Sequence, residues 1–232
     1  EDCNDHDGLR SDPVFKIVSG RAPEEDDLAS QPTLSRFENL IDIASLWRLH
    51  DFFIDDFLRS FERPPASITL DLDAVDDPCH GQQQRALLHG FYDQHQYLPV
   101  VISCAETKQI ILVALRPGNV HAALGADDDL EFIVRRIRAA WPDVVIHVRG
   151  DAGYGVPWMY AVCERLDLFY TFGLSANSIL KEATDFLLAE AVTRHEQTGE
   201  AQRLFTQLLY RAGSWKHYRR VIVKAECNQI GT

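Results

Sequence analysis

The spacing of hydrophobic residues changes along the chain and divides it into segments. Residues 1–32 are polar and rich in turn formers, which predicts a loop with a short helix at 13–20. Ser35 and Glu38 then form a capping-box pattern, and apolar residues follow at helical spacing: Leu40, Ile43, Trp47, Phe53, Phe57 and Phe61. After the pair Pro64 and Pro65, apolar and polar residues alternate, which predicts a β-strand over 67–73.

The remaining elements follow in an order that restricts the fold. Two strands joined by a short turn predict an antiparallel hairpin, and helices and strands alternate after it. The predicted ranges are strands 97–104 and 109–116, helix 127–140, strand 144–148, helix 157–166 and strand 168–172. Three strands without an intervening helix are typical of a ribonuclease H-like sheet, because a doubly wound sheet needs a helix after its first strand. We therefore predict an α/β fold with a ribonuclease H-like mixed sheet flanked by helices.

The same pattern predicts three regions. Residues 1–63 form an N-terminal loop and helical segment, and residues 64–174 form part of a ribonuclease H-like core. Residues 175–232 contain a helix, predicted over 178–195, and two strands, predicted over 205–211 and 218–226, that begin a β-rich insertion.

Composition and charge restrict the class of protein. The chain is 46% hydrophobic and 25% charged, as in soluble globular proteins, and its five scattered cysteines lack CxxC spacing. We expect reduced thiols, a cytoplasmic location and no membrane association. The net charge of −12 weakens a simple nucleic-acid-binding interpretation, because phosphate contacts need lysine and arginine. The charge is uneven, however, and residues 200–232 hold six basic and two acidic residues.

Two aspartates carry the candidate chemistry. Asp73 closes the strand-like run SITLDLD, and Asp151 follows the apolar run VVIHV. Acids at the carboxyl ends of neighbouring strands can meet at one edge of a sheet and bind a hard divalent cation. Asp71 shares a strand face with Asp73 and is the alternative first ligand, although Asp73 lies nearer the strand end.

Five segments in order resemble bacterial insertion-sequence transposases of the DDE type, in the hairpin-forming cut-and-paste branch. They are LASQPTLSRFEN, TLDLDAVDDPCHG, FYDQHQYLPVVIS, RGDAGYGVP and RRVIVKAE. The resemblance implies a ribonuclease H-like core with three metal-binding acids, and it makes Asp73 the first and Asp151 the second. It further implies DNA strand cleavage and transfer by two-metal phosphoryl transfer with Mg²⁺ or Mn²⁺.

The third acid of that family is a glutamate on a helix with the pattern Y-x-x-R-x-x-x-E-x-x-x-x-x-x-K. Tyr210 and Arg211 are adjacent instead, and Glu226 lies in a strand-like run. We therefore expect a chain truncated before the third acid and inactive alone. The resemblance implies transposon-end and target DNA as partners, a homodimer at full length and a nucleoid-associated location.

The basic hairpin holds the predicted DNA contacts. Trp215, Lys216, Arg219 and Arg220 combine an aromatic ring with cations, which suits contact with a nucleic-acid backbone and base stacking. The alternative is a hairpin whose charges are simply solvated.

Two other functions stay open at this point. ITLDLDAVDD also resembles the signature of haloacid dehalogenase-like phosphatases, with Asp71 as nucleophile and Asp73 as acid/base. That fold needs a helix after its first strand, where this sequence predicts a hairpin. The other possibility is a non-catalytic transposase remnant that contacts DNA.

Overall fold

The computed structural model describes residues 5–79 and 84–228, in two compact units, Glu1–Ser60 and Phe61–Thr232. In residues 5–60 the first unit contains four helices: α1 Asp5–Leu9, α2 Pro13–Val18, α3 Gln31–Glu38 and α4 Ile43–Arg59. Within it the Lys16 ammonium is buried, donates to the carbonyls of Pro23 and Glu25, and lies 3.5 Å from an Asp27 carboxylate oxygen. These contacts hold the acidic loop that follows α2.

The predicted capping box at Ser35 and Glu38 is wrong. Ser35 lies inside α3, and the following helix begins one turn later, where the Asp42 carboxylate accepts a hydrogen bond from the Ser45 amide at 2.7 Å. Pro32 occupies the first turn of α3, where its missing N–H costs nothing. One predicted amphipathic stretch is therefore two helices separated by residues 39–42.

The second unit is built on a five-stranded mixed sheet. Its strands are β1 Ser67–Ala74, β5 Val100–Cys104, β6 Ile110–Ala114, β7 Val145–Gly150 and β8 Phe169–Phe172, in the spatial order β6-β5-β1-β7-β8. Strand β5 runs antiparallel to β1 and β6, and β7 and β8 run parallel to β1. This order and these directions are those of the predicted ribonuclease H-like sheet.

Helices cover one face of this sheet. α5 (Ala126–Ala140) connects β6 to β7 and α6 (Pro157–Arg165) connects β7 to β8, so both crossovers run in the same direction and both helices lie on the same face. The registers place eight buried side chains on one face of the sheet: Ile68, Leu70, Leu72, Val100, Ile102, Cys104, Ile146 and Val148. Alternation places Thr69, Asp71 and Asp73 on the other face.

Two smaller sheets complete the unit. One is a three-stranded sheet formed by the part of the chain that connects β1 to β5, and the hydrophobic pattern does not predict it. Its strands are β2 (Asp77–Pro78), β3 (Leu87–His89) and β4 (Gln94–Tyr97). α7 (Ser178–Thr198) precedes the predicted hairpin, which consists of β9 (Gln202–Tyr210) and β10 (Arg219–Cys227). A small apolar cluster joins α7 to the hairpin through Leu187, Ala191, Ala225 and Cys227.

The described cysteines are free thiols, as the cysteine spacing predicts. Cys79, Cys104, Cys163 and Cys227 are free, and Cys3 lies outside the described residues. Among residues 5–79 and 84–228, no helix combines the length and apolar character needed to span a bilayer.

Candidate active site

The two candidate acids end neighbouring parallel strands on the same face of the sheet. Leu72 pairs with Gly150 in the β1–β7 register, so Asp73 and Asp151 each follow that pair by one residue. One pair earlier, Arg149 donates two hydrogen bonds to the Asp71 carboxylate, at 2.6 and 2.7 Å. Because side chains alternate along a strand, Asp73 and Asp151 extend to the same face as this ion pair. Neighbouring strands lie about 4.8 Å apart, within reach of a shared cation.

The ion pair distinguishes the two aspartates of β1. Both Asp71 carboxylate oxygens are engaged by Arg149, a bidentate arrangement that is among the stronger side-chain contacts. Asp73 is exposed at the strand end. Its carboxylate is therefore better placed than that of Asp71 to bind a cation.

A tight turn positions the second acid. Asp151 caps a 3-10 turn over Ala152–Tyr154, and its Oδ1 accepts a hydrogen bond from the Gly153 amide at 2.9 Å. The Gly173 amide donates to the Gly150 carbonyl at 3.0 Å, and a Cβ on Gly173 would lie 2.6 Å from the Ala152 nitrogen. The end of β8 therefore packs directly against the turn that carries Asp151.

A buried tyrosine and arginine lie close to the acids. Tyr154 is fully buried, and burial raises the pKa of its hydroxyl well above the usual value. The Arg116 guanidinium opposes that rise, and the Asp73 and Asp151 carboxylates increase it. The hydroxyl therefore lies in the electric field of both acids and of Arg116. Motif spacing missed Arg116, which stands in a loop far from either acid in sequence, and it missed the pairing of Arg149 with Asp71.

The donor set fits a hard cation. Mg²⁺ is commonly held by one or two carboxylates, with water and substrate phosphate completing the octahedron. Asp73 and Asp151 supply two carboxylates on adjacent strands. Within the described ranges, no group of three or more His, Cys, Asp or Glu side chains is arranged to hold a metal ion.

The four predicted DNA contacts divide into two pairs. Trp215 is buried against Tyr160 and Tyr210, with ring centroids 5.1 and 5.5 Å apart. Arg219 donates to both Glu164 carboxylate oxygens, at 2.8 and 3.1 Å, and its guanidinium carbon lies 4.6 Å from the Tyr160 ring centroid. These two side chains fasten the hairpin to α6. Lys216 and Arg220 are exposed, and Arg220 also donates to Gln207.

A groove of about 810 Å³ lies between β8, α7 and β10. Its charged lining consists of four lysine and arginine side chains and one acidic side chain, in a chain whose net charge is −12. The cations are Lys181, Arg219, Arg220 and Lys224, and the acid is Glu164. Exposed aromatic rings of Phe169 and Tyr218 also line it.

Comparisons with solved structures give distant similarities. The Mos1 transposase paired-end complex with left transposon end is 13% identical with a TM-score of 0.30, over 82% of this chain and 62% of that one. The Drosophila P element transposase strand transfer complex is 12% identical with a TM-score of 0.35, over 82% and 43%. A simian T-cell lymphotropic virus intasome is 13% identical with a TM-score of 0.31, over 59% and 45%. The chain thus spans less than two thirds of these proteins.

No curated protein matches the chain. A family does: the sequence matches the transposase DDE domain group 1 over residues 1–232. The resemblance of the five sequence segments agrees with that match. The chain therefore belongs to the transposase DDE domain group 1 family.

Proposed function

We propose that this chain contributes two of the metal-binding acids, Asp73 and Asp151, of a transposase that cleaves and joins DNA strands by metal-dependent phosphoryl transfer. The observation that carries the proposal is their placement, one residue beyond the Leu72–Gly150 pair on one face of the sheet. The family match supplies the reaction class. Bound Mg²⁺ or Mn²⁺ would activate the attacking oxygen and stabilise the leaving oxygen.

The chain's own residues hold and orient the site. Asp73 and Asp151 would hold the cation, and Asp151 is fixed by the Gly153 amide and by the close packing of Gly173. Arg149 engages both carboxylate oxygens of Asp71. The family resemblance implies a third acid, and we propose that this chain is inactive without one.

The phosphatase alternative lacks support from the fold. A haloacid dehalogenase-like sheet needs a helix after its first strand, but in the described residues β2 to β6 follow β1 without one. The proposed nucleophile of that alternative, Asp71, is already held by Arg149. Hydrolysis of a small phosphoester, lost in Asp71→Asn, would support this alternative against ours.

A cleavage assay on DNA that carries the element's terminal inverted repeats, with Mg²⁺, tests the proposed function. We expect activity when a third-acid segment is supplied in the same polypeptide, and loss of that activity in Asp73→Asn and in Asp151→Asn. Cleavage that survives both substitutions would refute the assignment. No cleavage from any such polypeptide would indicate a non-catalytic remnant.

We further propose that the hairpin and the adjacent groove contact DNA, with Lys216 and Arg220 as the exposed cations. The excess of basic side chains along the groove supports this in an otherwise acidic chain. Trp215 and Arg219 would act by holding the hairpin rather than by direct contact, because both are packed against Tyr160. The homodimer expected of the full-length protein stays a prediction.

The double variant Lys216→Ala/Arg220→Ala is expected to weaken DNA binding about 10-fold and to lower the slope of log Kd against log salt by roughly 2, one for each lost phosphate contact. Fluorescence anisotropy with a labelled duplex over a range of salt concentrations measures both. Arg59→Ala/Arg63→Ala removes the same charge elsewhere and should leave the slope unchanged. Equal effects of the two double variants would show that only net charge matters.

A further inference from the structure

Arg116 is a buried cation that joins two segments of the core. It is only 8% exposed, and its Nε donates to the Leu98 carbonyl at 3.0 Å. Its Nη1 donates to the carbonyls of Ala122 and Leu124, at 2.6 and 2.8 Å. Burying a guanidinium is costly unless it is well bonded, and two of these three hydrogen bonds fix the position of the 122–124 loop.

That loop lies against the turn that carries Asp151. A Cβ on Gly153 would lie 2.8 Å from the Ala122 Cβ, so the two backbones approach closely. The Trp158 indole N–H donates to the Ala123 carbonyl at 3.2 Å, which ties the loop to α6 as well. Since the Gly153 amide donates to the Asp151 carboxylate, a continuous set of contacts runs from Arg116 to the second acid.

Two buried polar atoms in this region lack a well-formed hydrogen bond. Within the described part of the chain they are the Tyr154 hydroxyl and Arg116 Nη2, and the two side chains interact with each other. A weakly satisfied buried polar group costs up to roughly 1–3 kcal/mol, so this pair needs a reason to be retained. Tyr154 is fixed by its position directly after Asp151 and Gly153, and its ring packs against Gly150.

We propose that Arg116 and Tyr154 are positioning residues for the acid pair, and that they prepare Asp73 and Asp151 to bind a divalent cation. Arg116 fixes the loop that packs against the Asp151 turn, and so it helps to hold the Asp151 carboxylate in place. The Tyr154 hydroxyl donates a hydrogen bond to a carboxylate oxygen when the cation is held. This inference rests on the proposed function, because it assumes that the two acids bind metal.

The raised pKa of the Tyr154 hydroxyl agrees with a position near Asp73 and Asp151. Burial is the main cause of the raised pKa, and the two carboxylates raise it further. Groups that orient metal ligands from outside the coordination sphere typically change metal affinity by about 10–100-fold.

The test is Mn²⁺ binding to the whole chain, followed by electron paramagnetic resonance of the free ion. Tyr154→Phe removes only the hydroxyl, and we expect about 10-fold weaker Mn²⁺ binding with an unchanged circular dichroism spectrum. Tyr92→Phe deletes the hydroxyl of an exposed tyrosine whose ring contacts His89 and Phe91, and should bind Mn²⁺ like the wild type. Mn²⁺ affinity in Tyr154→Phe equal to that in Tyr92→Phe would overturn the role of Tyr154.

Arg116 needs a second pair of variants, because its loss could unfold the loop. Arg116→Lys keeps the charge and loses the fork of donors, whereas Arg116→Met keeps the approximate length and loses both the charge and every donor. We expect Mn²⁺ affinity to fall in both and further in Arg116→Met. If Arg116→Met unfolds, Arg116→Lys decides, and wild-type Mn²⁺ affinity in a folded Arg116→Lys would overturn the role of the donor fork.

The two proposals fail in different ways. Mn²⁺ binding that persists in Asp73→Asn, or a wild-type chain that does not bind Mn²⁺, removes the proposed function and this inference together. Mn²⁺ binding that is lost in Asp73→Asn but unchanged in Tyr154→Phe and Arg116→Lys removes this inference alone.

Discussion

Asp73→Asn is expected to abolish Mn²⁺ binding, whereas Asp71→Asn should leave it within about threefold of the wild type. The two carboxylates differ in their hydrogen-bond partners. Both Asp71 oxygens accept hydrogen bonds from Arg149, whereas Asp73 lies at the strand end on the strand next to Asp151. Loss of a direct ligand should exceed the roughly 10–100-fold effect of an outer partner. Electron paramagnetic resonance on matched samples measures the two affinities.

Asp71→Asn is a matched control because it makes the same chemical change two residues away on the same strand face. Its cost is structural: the partly exposed Arg149 loses its partner, for which we expect about 1 kcal/mol or less of stability. Should Asp71→Asn lose Mn²⁺ binding while Asp73→Asn keeps it, Asp71 is the ligand and the ion pair must open on metal binding. Equal loss in both would indicate that the cation is bound by both carboxylates.

Gly173→Ala is expected to lower both stability and metal affinity. The added Cβ would lie 2.6 Å from the Ala152 nitrogen and 2.9 Å from the Asp151 carbonyl carbon, and backbone atoms cannot turn away as a flexible side chain can. Overpacking of this kind costs about 1–3 kcal/mol. For a chain of this size that corresponds to a fall in Tm of roughly 2–12 °C. Thermal unfolding by circular dichroism measures it.

The functional part of this prediction is separable from the structural part. Because the turn that moves carries Asp151, Mn²⁺ affinity should fall in the fraction of Gly173→Ala that remains folded. Gly90→Ala, where an added Cβ meets nothing within 4 Å, should change neither quantity. A folded Gly173→Ala with wild-type Mn²⁺ affinity would show that the close packing does not position Asp151.

The local hydrophobic pattern was sufficient to predict most strands and helices of the core. The alternation of Ile68, Leu70 and Leu72 with polar residues predicted β1 and its two faces, and the short turn after Cys104 predicted the hairpin of β5 and β6. Side-chain direction alternates in any strand, so the sequence alone already placed Asp71 and Asp73 on one face. The small sheet of β2 to β4 was not predictable in this way, because its strands of two to four residues are too short to show a period.

The start of α4 shows where local rules compete. Ser35 and Glu38 satisfy the capping-box spacing, but Asp42 is an equally good cap and is the one used. Both signals are worth about 1 kcal/mol, so sequence spacing alone could not rank them. The structure decided in favour of a separate α3 that begins near Pro32.

The hairpin shows the same limit for charged side chains. Sequence composition grouped Trp215, Lys216, Arg219 and Arg220 as one basic and aromatic cluster. The structure divides them, because Glu164 and Tyr160 on α6 reach Arg219 and Trp215 but not the other two. Sequence composition cannot show which residue on another helix or strand pairs with a given cation.

The sequence by itself determined the order of elements, the strand-end position of both aspartates and the family resemblance, because periodicity and motif spacing are local properties of the chain. Only the tertiary structure decided that Arg149 pairs with Asp71, that Arg116 supports the loop beneath Asp151 and that Tyr154 is buried beside them. Arg149 and Asp71 are 78 positions apart in the chain. The free energy of these contacts depends on strand register and burial, which arise only when the sheet has formed.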